Sequence, residues 1–372
     1  MTESVPLNIV IAPDSFKGSL GALEAAEAIA AGWSSARPGD VLTLIPQADG
    51  GEGTLDAIMA AVPGALRRDA GPVTGADGRP TPGHWLELPD GTAVVELAQM
   101  CGLPLMAGLD PLGASTVGLG EVIRIALAAG ASRLVIGLGG SASTDAAAGA
   151  LAALGLRGDA PLVAGGGTLG ALGSLDRSQL AAPPPDGVVL LTDVAAPLLG
   201  PTGAAAVFGP QKGATPADIA LLDAGLAHFA TLLGGDPSLP GTGAAGGAAY
   251  GFVAAWAARI EPGADYLSAF TGVREAVTGA DVLITGEGRF DATSSTGKLV
   301  GSLINLAGEH GVRVAVIAGQ LAVPPLGSDG SPLVAVSLAD LAGSVDAALE
   351  DPVRWLRAAG AAAGEALGLV WR

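Results

Sequence analysis

The sequence predicts an α/β protein in which a second domain is inserted into the first. Short apolar runs alternate with helical patterns at both ends of the chain, which is typical of βαβ units. Between them, two β-rich runs flank the turn tripeptide Pro89-Asp90-Gly91 and indicate an antiparallel hairpin. A length of 372 residues favours two domains and allows a large core without disulfides.

The first elements form a strand–helix–strand unit. LNIVIA (7–12) is typical of a buried strand, and a helix is expected from about Ser19. The apolar face of that helix is predicted to carry Leu23, Ala26, Ala30 and Trp33. VLTLIP (41–46) predicts a second strand, and a short helix through Ile58 and Met59 follows the loop QADGGEG.

The middle of the chain mixes hairpin and βαβ patterns. The hairpin is followed by a helix near 118–129, a strand at Arg133–Gly137, the loop GLGGSAST and a helix from Asp145. The strand GVVLLTDV is expected to end at Asp193. Thr215-Pro216-Ala217-Asp218 predicts a helix start, with an N-cap, a proline at N1 and an acid at N3.

The last third returns to regular alternation. Its strands are expected at Val282–Thr285, Val312–Ala318 and Leu333–Ser337, with a final helix from about Ser344. We therefore predict a Rossmann- or flavodoxin-like parallel-sheet domain over 1–66 plus 276–372 and an inserted mixed-sheet α/β domain over 67–275. Because ligands of parallel sheets bind at the carboxyl ends of strands, we expect the active site in a cleft between the domains.

Composition excludes several classes of function. The 36 acidic and 18 basic residues give a net charge of −18, which disfavours nucleic acid and membrane surfaces as partners. Cys101 is the only cysteine, so a reducing compartment is expected. The N-terminal sequence has no basic segment followed by a long apolar one, and we expect a cytoplasmic protein without a secretory signal.

Lysine usage is the most informative feature of the composition. The chain has three lysines, Lys17, Lys212 and Lys298, and each has a glycine neighbour. An ammonium is a compact point charge, whereas a guanidinium is planar, so these lysines are candidates for positions where only an ammonium fits. The alternative is that the three lysines lie next to glycines by chance, since the chain contains 59 glycines.

Two glycine-rich loops carry paired carboxylates. QADGGEGT (47–54) contains Asp49 and Glu52, and GEGRFD (286–291) contains Glu287 and Asp291 on either side of Arg289. Such loops repel phosphate directly but suit Mg²⁺, which takes one or two carboxylates together with phosphate oxygens. The alternative is that these acids only complement helix dipoles.

Three further segments are candidates for a catalytic or cofactor-binding role. Asp193 ends a buried strand and could orient or deprotonate a substrate hydroxyl, or simply cap a turn. Gly137–Ala142 fits GxGxxA between a strand and a helix, which leaves an NAD-binding site open, although no acid follows at a suitable strand end. Thr296-Gly297-Lys298 lacks the first glycine and the final Ser or Thr of a Walker A motif.

In combination the motifs resemble the successive signatures of the type I glycerate kinase family. The resemblance covers almost the whole chain and keeps the family's order. It is carried by APDSFKGSL (12–20), PQADGGEGT (46–54), GLGGSASTDAAAGA (137–150), TDVAAPLLGPTGAAAVFGPQKGA (192–214), PGTGAAGG (240–247) and LITGEGRFDATSSTGK (283–298). It implies two α/β domains around a cleft and an ATP- and Mg²⁺-dependent kinase that converts D-glycerate, usually to 2-phosphoglycerate. Its partners would be ATP and a small hydroxy acid.

The resemblance and the loop chemistry together give a hypothesis for the site. Catalytic residues are Lys17, Asp193, Lys212 and Lys298. Substrate- or nucleotide-binding residues are Asp14, Ser15, Gly50, Gly51, Gly139, Gly140, Ser141, Ser143, Asp145 and Arg289, where the N–H groups of 139–143 are expected to form an anion site at a helix start. Metal ligands are Asp49, Glu52, Glu287 and Asp291.

The sequence departs from the family pattern at several positions. Thr144 stands where the family typically has Asn, Ala146 and Ala147 where it has Gly, Ala196 where it has Asn, and Thr293 where Gln is common. Two alternatives to a glycerate kinase therefore stay open. One is a non-catalytic relative that binds a hydroxy acid or nucleotide, and the other is an NAD-dependent dehydrogenase that uses the Gly137 loop.

Overall fold

The computed structural model describes residues 5–16, 18–294 and 299–368. The strands are β1 Asn8–Ile11, β2 Val41–Leu44, β3 Leu66–Thr74, β4 Pro80–Glu87, β5 Thr92–Glu96, β6 Arg133–Gly137, β7 Arg157–Gly158, β8 Leu175–Asp176, β9 Val188–Leu191, β10 Arg259–Glu261, β11 Val282–Phe290, β12 Arg313–Leu321 and β13 Val334–Ser337. The α-helices are α1 Ala22–Ala36, α2 Thr54–Ala61, α3 Ala98–Cys101, α4 Val117–Ala128, α5 Ala148–Ala153, α6 Ala204–Phe208, α7 Pro216–Leu233, α8 Ala244–Trp256, α9 Gly263–Thr271, α10 Val273–Thr278, α11 Leu299–Glu309, α12 Leu338–Ala342, α13 Val345–Glu350 and α14 Pro352–Gly368.

The chain divides into two compact units. The first unit consists of Met1–Asp49, Asp56–Pro63 and Ala264–Arg372. The second unit consists of Gly50–Leu55 and Gly64–Gly263.

The first unit is built on a parallel sheet. Its strand order is β13-β12-β11-β1-β2, and every neighbouring pair is parallel. One face packs on α1 and α14 through residues such as Trp33 and Leu356. The other face packs on α10 and α11 through residues such as Val277 and Leu303. The chain leaves β1 toward β2 and returns at β11 on the other side of β1, so the topological switch point lies between β1 and β11.

Helices α1 and α14 approach each other closely at two glycines. A Cβ on Gly32 would lie 2.0 Å from the carbonyl oxygen of Arg357, and a Cβ on Gly360 would lie 2.2 Å from that of Ile29. Real Cβ atoms do not approach backbone this closely, so the two helices need glycine at these positions.

The second unit is built on a mixed sheet. Its strand order is β10-β9-β6-β5-β4-β3, with antiparallel pairs from β3 to β5 and parallel pairs from β5 to β10. A single core cluster joins this sheet to the surrounding helices and includes Ile136, Phe229 and Tyr250. A parallel sheet in one unit and a mixed sheet in the other confirm the predicted α/β class.

Three details of the helices differ from the sequence prediction. Helix α1 begins at Ala22 and buries Ala25 and Ile29, whereas Leu23 is 38% exposed, so the predicted apolar face was wrong at that residue. Helix α5 begins only at Ala148, because Ala146 and Ala147 adopt positive φ angles of 51° and 59°.

The predicted C-terminal helix is also divided. It consists of α13 and α14, with the break at Asp351 before Pro352. A proline lacks the N–H needed inside a helix and disfavours helical angles at the preceding residue, which explains the break.

Helix α7 is long and apolar enough, by length and composition alone, to cross a membrane. Its N-terminus has the predicted capping box, in which Thr215 and Asp218 exchange hydrogen bonds. Leu222, Leu226 and Phe229 on this helix are buried in the core of the second unit. Packing in that core accounts for the apolar composition of the helix.

Candidate active site

The first unit contains a cavity at the carboxyl ends of its parallel strands. The cavity has a volume of about 390 Å³ and includes residues that follow or end β1, β11 and β12. Its polar lining residues are Asp14, Ser15, Ser19, Glu287, Arg289 and Gln320. We call it the Arg289 cavity. It brings together Asp14, Ser15, Glu287 and Arg289, four residues that the sequence analysis selected from two motifs far apart in the chain.

Extended pairing between β1 and β11 positions Asp14 and Ser15. The Asp14 N–H donates to the Gly286 carbonyl at 2.8 Å, and the Thr285 hydroxyl donates to the Ala12 carbonyl at 2.9 Å. The Ser15 N–H donates to Asp14 Oδ1 at 2.6 Å. Asp14 and Ser15 are 7% and 5% exposed, so the loop after β1 is held tightly at the edge of the sheet.

The predicted metal ligands occupy different environments. Asp291 Oδ1 accepts hydrogen bonds from the N–H and hydroxyl of Thr293 at 2.8 and 2.7 Å, and Glu287 is half-buried in the Arg289 cavity. Asp49 is half-buried after β2, and Glu52 of the second unit is exposed.

Among the described residues, no group of three or more His, Cys, Asp or Glu side chains is arranged to hold a metal ion. A magnesium ion takes one or two carboxylates and completes its shell with water and phosphate oxygens. The Glu287 carboxylate, in a cavity that also contains Arg289, fits that limited requirement.

In the second unit, two glycine motifs pack backbone against backbone. The Gly139 N–H donates to the Gly50 carbonyl at 3.1 Å. A Cβ on Gly139 would lie 2.4 Å from the Cα of Gly51, and a Cβ on Gly50 would lie 2.9 Å from the Leu191 Cβ. This contact brings predicted binding residues of the 46–54 and 137–150 motifs to the carboxyl ends of β6 and β9.

Lys212 is buried beside the second of these loops. Its Nζ donates to Ser141 Oγ at 3.0 Å and to the Ser143 carbonyl oxygen, and the residue is 2% exposed. Asp145, also fully buried, accepts hydrogen bonds at Oδ2 from the Thr116 N–H at 2.9 Å and the Thr116 hydroxyl at 2.8 Å. We call Lys212, Ser141, Ser143, Asp145 and Thr116 the Lys212 cluster.

Burial perturbs both charged groups of the Lys212 cluster. Removal from water lowers the pKa of Lys212 to about 7, although the nearby Asp145 charge opposes the shift. Burial likewise raises the pKa of Asp145, against the hydrogen bonds from Thr116. Titratable groups with shifted pKa values in a polar loop are typical of functional sites.

Three consecutive residues of this loop hold buried polar atoms that lack a hydrogen-bond partner within the described part of the chain. They are Ser143 Oγ, Thr144 Oγ1 and Asp145 Oδ1. Buried polar atoms of native proteins nearly always have a partner, which can be a ligand or an ordered water. The loop is therefore equipped to hold a polar molecule.

The expected anion site at residues 139–143 differs from the prediction. Helix α5 starts at Ala148, so the loop does not lie at a helix start. The Gly139 and Ala142 N–H groups already donate to the carbonyls of Gly50 and Cys101. An anion on this loop would depend on Lys212 and on the remaining amides, and the helix dipole would not contribute.

Asp193 lies just after the end of β9, in the second unit. It is exposed and accepts a hydrogen bond at Oδ1 from the Gly263 N–H at 2.8 Å. Lys17 and Lys298, like the Walker-like segment that ends at Lys298, lie outside the described residues.

Sequence reasoning missed two polar residues of the second unit. Thr116 holds the Asp145 carboxylate, and its position directly before α4 was the available signal. Glu96, fully buried at the end of β5, accepts hydrogen bonds from the N–H groups of Gly53 and Leu55, each at 3.2 Å. The signal in the sequence was a glutamate at the end of the apolar strand TAVVE, because a carboxylate buried at such a position needs hydrogen-bond donors.

Gly241–Gly246, whose sequence fits GxGxxG, and the Gly137 loop both lack the strand–helix context of a dinucleotide site. Gly241–Gly246 leads into the kinked start of α8, where Ala245, Gly246 and Gly247 have positive φ angles. The Gly137 loop is followed by α5, which has only 6 residues and is separated from the end of β6 by ten residues. A dinucleotide-binding loop instead leads directly from a strand into a helix. Burial raises the pKa of the Cys101 thiol to about 12, which makes it unsuited as a nucleophile.

Comparison with known proteins identifies the family. The glycerate kinase family model matches residues 9–368. The chain is 41% identical over 332 residues to a glycerate kinase of Bacillus subtilis, covering 85% of each protein. It is 39% identical over 328 residues to a glycerate 2-kinase of Escherichia coli, covering 85% of this chain and 86% of the relative.

A solved structure supports the same assignment. A putative glycerate kinase 2 from Salmonella typhimurium LT2 superposes with a TM-score of 0.77 at 35% sequence identity, covering 98% of this chain and 99% of the other. Sequence and fold agree over nearly the whole length. The chain belongs to the glycerate kinase family.

Proposed function

We propose that this protein transfers the γ-phosphoryl group of ATP to the 2-hydroxyl of D-glycerate, which gives 2-phosphoglycerate and ADP. Family membership and relatives named glycerate kinase and glycerate 2-kinase support the reaction. The observation that carries the proposal is the Arg289 cavity, because it gathers an arginine, a serine and two carboxylates at the switch point of a parallel sheet. The single cysteine supports a cytoplasmic location.

The donor side of the reaction belongs to the first unit. Phosphoryl transfer needs charge neutralisation and positioning more than covalent chemistry. Arg289, together with Lys17 and Lys298, would neutralise the phosphates. One or two of the carboxylates of Asp49, Glu287 and Asp291 would hold Mg²⁺, directly or through water, and the ion would supply charge neutralisation at the phosphates.

The acceptor side belongs to the second unit. Asp193 would take the proton of the attacking hydroxyl as a new O–P bond forms and the bond between the γ-phosphorus and its bridging oxygen breaks, with ADP as leaving group. The hydrogen bond from Gly263 fixes one oxygen of this carboxylate. Lys212, with Gly140, Ser141 and Ser143, would bind the acid's carboxylate. We propose that these residues and those of the first unit serve one reaction.

Asp145 acts indirectly in this scheme. It is fully buried, and its Oδ2 is saturated by Thr116 and Gly149. We therefore assign it to positioning, since it fixes the loop that carries Ser143 and compensates the buried charge of Lys212.

Coupled ADP-release assays test the proposal. Wild-type protein with Mg²⁺-ATP should turn over D-glycerate, and ³¹P NMR should show the product phosphate on carbon 2. Asp193→Asn should lose turnover while retaining its thermal midpoint. L-glycerate and related hydroxy acids serve as acceptor controls.

Turnover within the noise of a no-enzyme control would refute the kinase assignment. Retained binding of ATP without turnover would then support the non-catalytic relative, for which the Thr144 and Ala196 departures are the motive. Thermal stabilisation by NADH but not by Mg²⁺-ATP would support the dehydrogenase.

A further inference from the structure

The Arg289 cavity has an apolar wall that has no role in the proposed phosphoryl transfer. The wall consists of Leu338, Val345, Ala348, Leu349 and Pro352. Val345 and Leu349 are 42% and 53% exposed, and because they are four residues apart on α13 they project from one face of that helix. Exposed aliphatic side chains that line a cavity indicate a surface that an apolar part of a ligand covers.

The size of the cavity favours ATP over glycerate as its ligand. At about 390 Å³ it falls within the range of small-molecule sites, roughly 300–1,000 Å³. A three-carbon hydroxy acid is much smaller and has no apolar surface for this wall. A nucleotide combines a flat ring with a charged phosphate chain, which matches a cavity with one apolar wall and several polar residues.

Ser15 also indicates that a ligand occupies the cavity. Its Oγ is buried and has no hydrogen-bond partner among the residues that the structure describes, and Ser15 itself is 5% exposed and lines the cavity. A buried hydroxyl of this kind indicates a ligand or an ordered water as its missing partner. A phosphate or ribose oxygen could fill that role.

Two glycines bring the ends of β11 and β12 close together at the cavity. Gly288 and Gly319 both line the cavity, and a Cβ on Gly319 would lie 2.3 Å from the Gly288 carbonyl oxygen. The ends of β11 and β12 thus pack without an intervening side chain. Gln320, the next residue, adds a carboxamide that can donate and accept at a base edge.

We propose that the Arg289 cavity is the nucleoside site, with the purine ring against Leu338, Val345 and Leu349 and the phosphates at Ser15 and Arg289. The assignment rests on the proposed function, which names ATP as the phosphoryl donor. It adds that α12 and α13, outside the glycine motifs, set the affinity for the nucleotide.

The first test compares two charge-introducing variants of exposed leucines in the same unit. Leu349 lines the cavity, whereas Leu341 is 39% exposed on α12 and does not. Calorimetric titration with Mg²⁺-ADP should show about tenfold or greater weakening for Leu349→Glu, because a charged side chain replaces the apolar contact with the purine ring. Leu341→Glu should bind as wild type, and inorganic tripolyphosphate should bind all three proteins alike.

Equal ADP affinity of Leu349→Glu and Leu341→Glu would overturn the assignment. If Leu349→Glu does not fold, Val345→Ala provides the same comparison with a smaller expected loss, about threefold, because only two methyl groups are removed. Photolabelling of wild-type protein with 8-azido-ADP gives an independent answer. Label on the peptide 338–352 supports the site, and label confined to the second unit contradicts it.

These measurements separate the nucleoside site from the proposed function. Glycerate turnover with an unchanged KM for ATP in Leu349→Glu would leave the kinase assignment intact and reject the site. ADP binding that Leu349→Glu abolishes, without turnover of glycerate by the wild type, would keep the site and reject the kinase. The KM for glycerate should be the same in both leucine variants.

Discussion

The Arg289 cavity and the Lys212 cluster place their cations in contrasting environments. Arg289 is exposed at the end of β11, whereas Lys212 is 2% exposed and bonded to Ser141 and Ser143. An exposed guanidinium can bind a ligand at little cost to the fold. A buried ammonium is part of the core, so its removal should change both stability and activity.

The largest expected effect is that of Lys212→Met. Loss of the ammonium should lower kcat/KM for glycerate by about 10³-fold, since a preorganised charge in a buried site is worth several kcal/mol. Lys212→Arg should not restore activity, because a planar guanidinium does not fit a position shaped for an ammonium. Steady-state kinetics with both substrates measures the change.

Ser141→Ala is the control for this prediction. It removes one acceptor of the Lys212 ammonium and keeps the charge, so its loss should be much smaller. Wild-type kinetics in Lys212→Met would show that the buried ammonium serves only the fold.

Arg289→Ala should be the next largest in effect and should separate activity from stability. We expect about a 10²-fold loss in kcat/KM for ATP, because one phosphate-neutralising group is removed. The thermal midpoint should stay unchanged, since Arg289 is exposed. Arg274→Ala, an exposed arginine on α10 outside the cavity, is the matched control. A large drop in the thermal midpoint of Arg289→Ala would show that Arg289, like Lys212, contributes to the stability of the fold.

Local chemistry made several elements of the fold predictable from sequence. β6 at Arg133–Gly137 was predicted to the residue, and the Thr215–Asp218 capping box marked the start of α7. These signals depend on neighbours within one turn or one strand. The loops that follow parallel strands were predictable as site candidates for a similar reason, since all such loops share one edge of their sheet.

The burial of Lys212 was not predictable in this way. Its acceptors, Ser141 and Ser143, lie about 70 residues earlier in the chain, and nothing near Lys212-Gly213 reveals them. The apolar wall of the Arg289 cavity was missed for another reason. Val345 and Leu349 look like ordinary core positions of an amphipathic helix, and only the structure shows them exposed.

Gly139→Ala tests the backbone packing beneath the Lys212 cluster. The new Cβ would lie 2.4 Å from the Gly51 Cα, so the two glycine motifs must separate. We expect the free energy of unfolding to fall by about 2 kcal/mol. Gly108→Ala in the same unit is the control, because no heavy atom lies within 4 Å of its added Cβ. Urea unfolding measures both, and equal midpoints would contradict the close packing.

The lowered pKa of Lys212 gives a pH-dependent prediction. Between its folded pKa of about 7 and its ordinary value of 10.5, the unfolded chain holds a proton that the folded protein lacks. The free energy of unfolding should therefore rise with pH in this window, by up to about 1.4 kcal/mol per pH unit. Below pH 7 the cost of burying the charged lysine is fully present.

Lys212→Met isolates this contribution. Asp145 is present in both proteins, so the difference in unfolding free energy between wild type and variant should report mainly on Lys212. Urea titrations at pH 7, 8 and 9 should show the wild type gaining stability relative to Lys212→Met. Parallel pH profiles would mean that Lys212 stays protonated in the folded protein.

The smallest expected effect concerns Ala147, which has a φ of 59° where the family typically has glycine. Glycine should relieve about 1–2 kcal/mol of left-handed strain. It should also lose about 0.8 kcal/mol from the buried methyl and about 0.4–1 kcal/mol through the more flexible unfolded chain. These effects nearly cancel, so Ala147→Gly should change the unfolding free energy by less than about 1 kcal/mol.

Ala150→Gly three residues later is the matched comparison. Ala150 is equally buried but lies inside α5, so glycine brings no relief of strain there. Its substitution should cost about 1.5–2 kcal/mol, from the lost methyl and the poorer helix propensity. Equal destabilisation of the two variants in urea would show that the left-handed turn at Ala147 carries no strain, and that alanine is as suitable there as glycine.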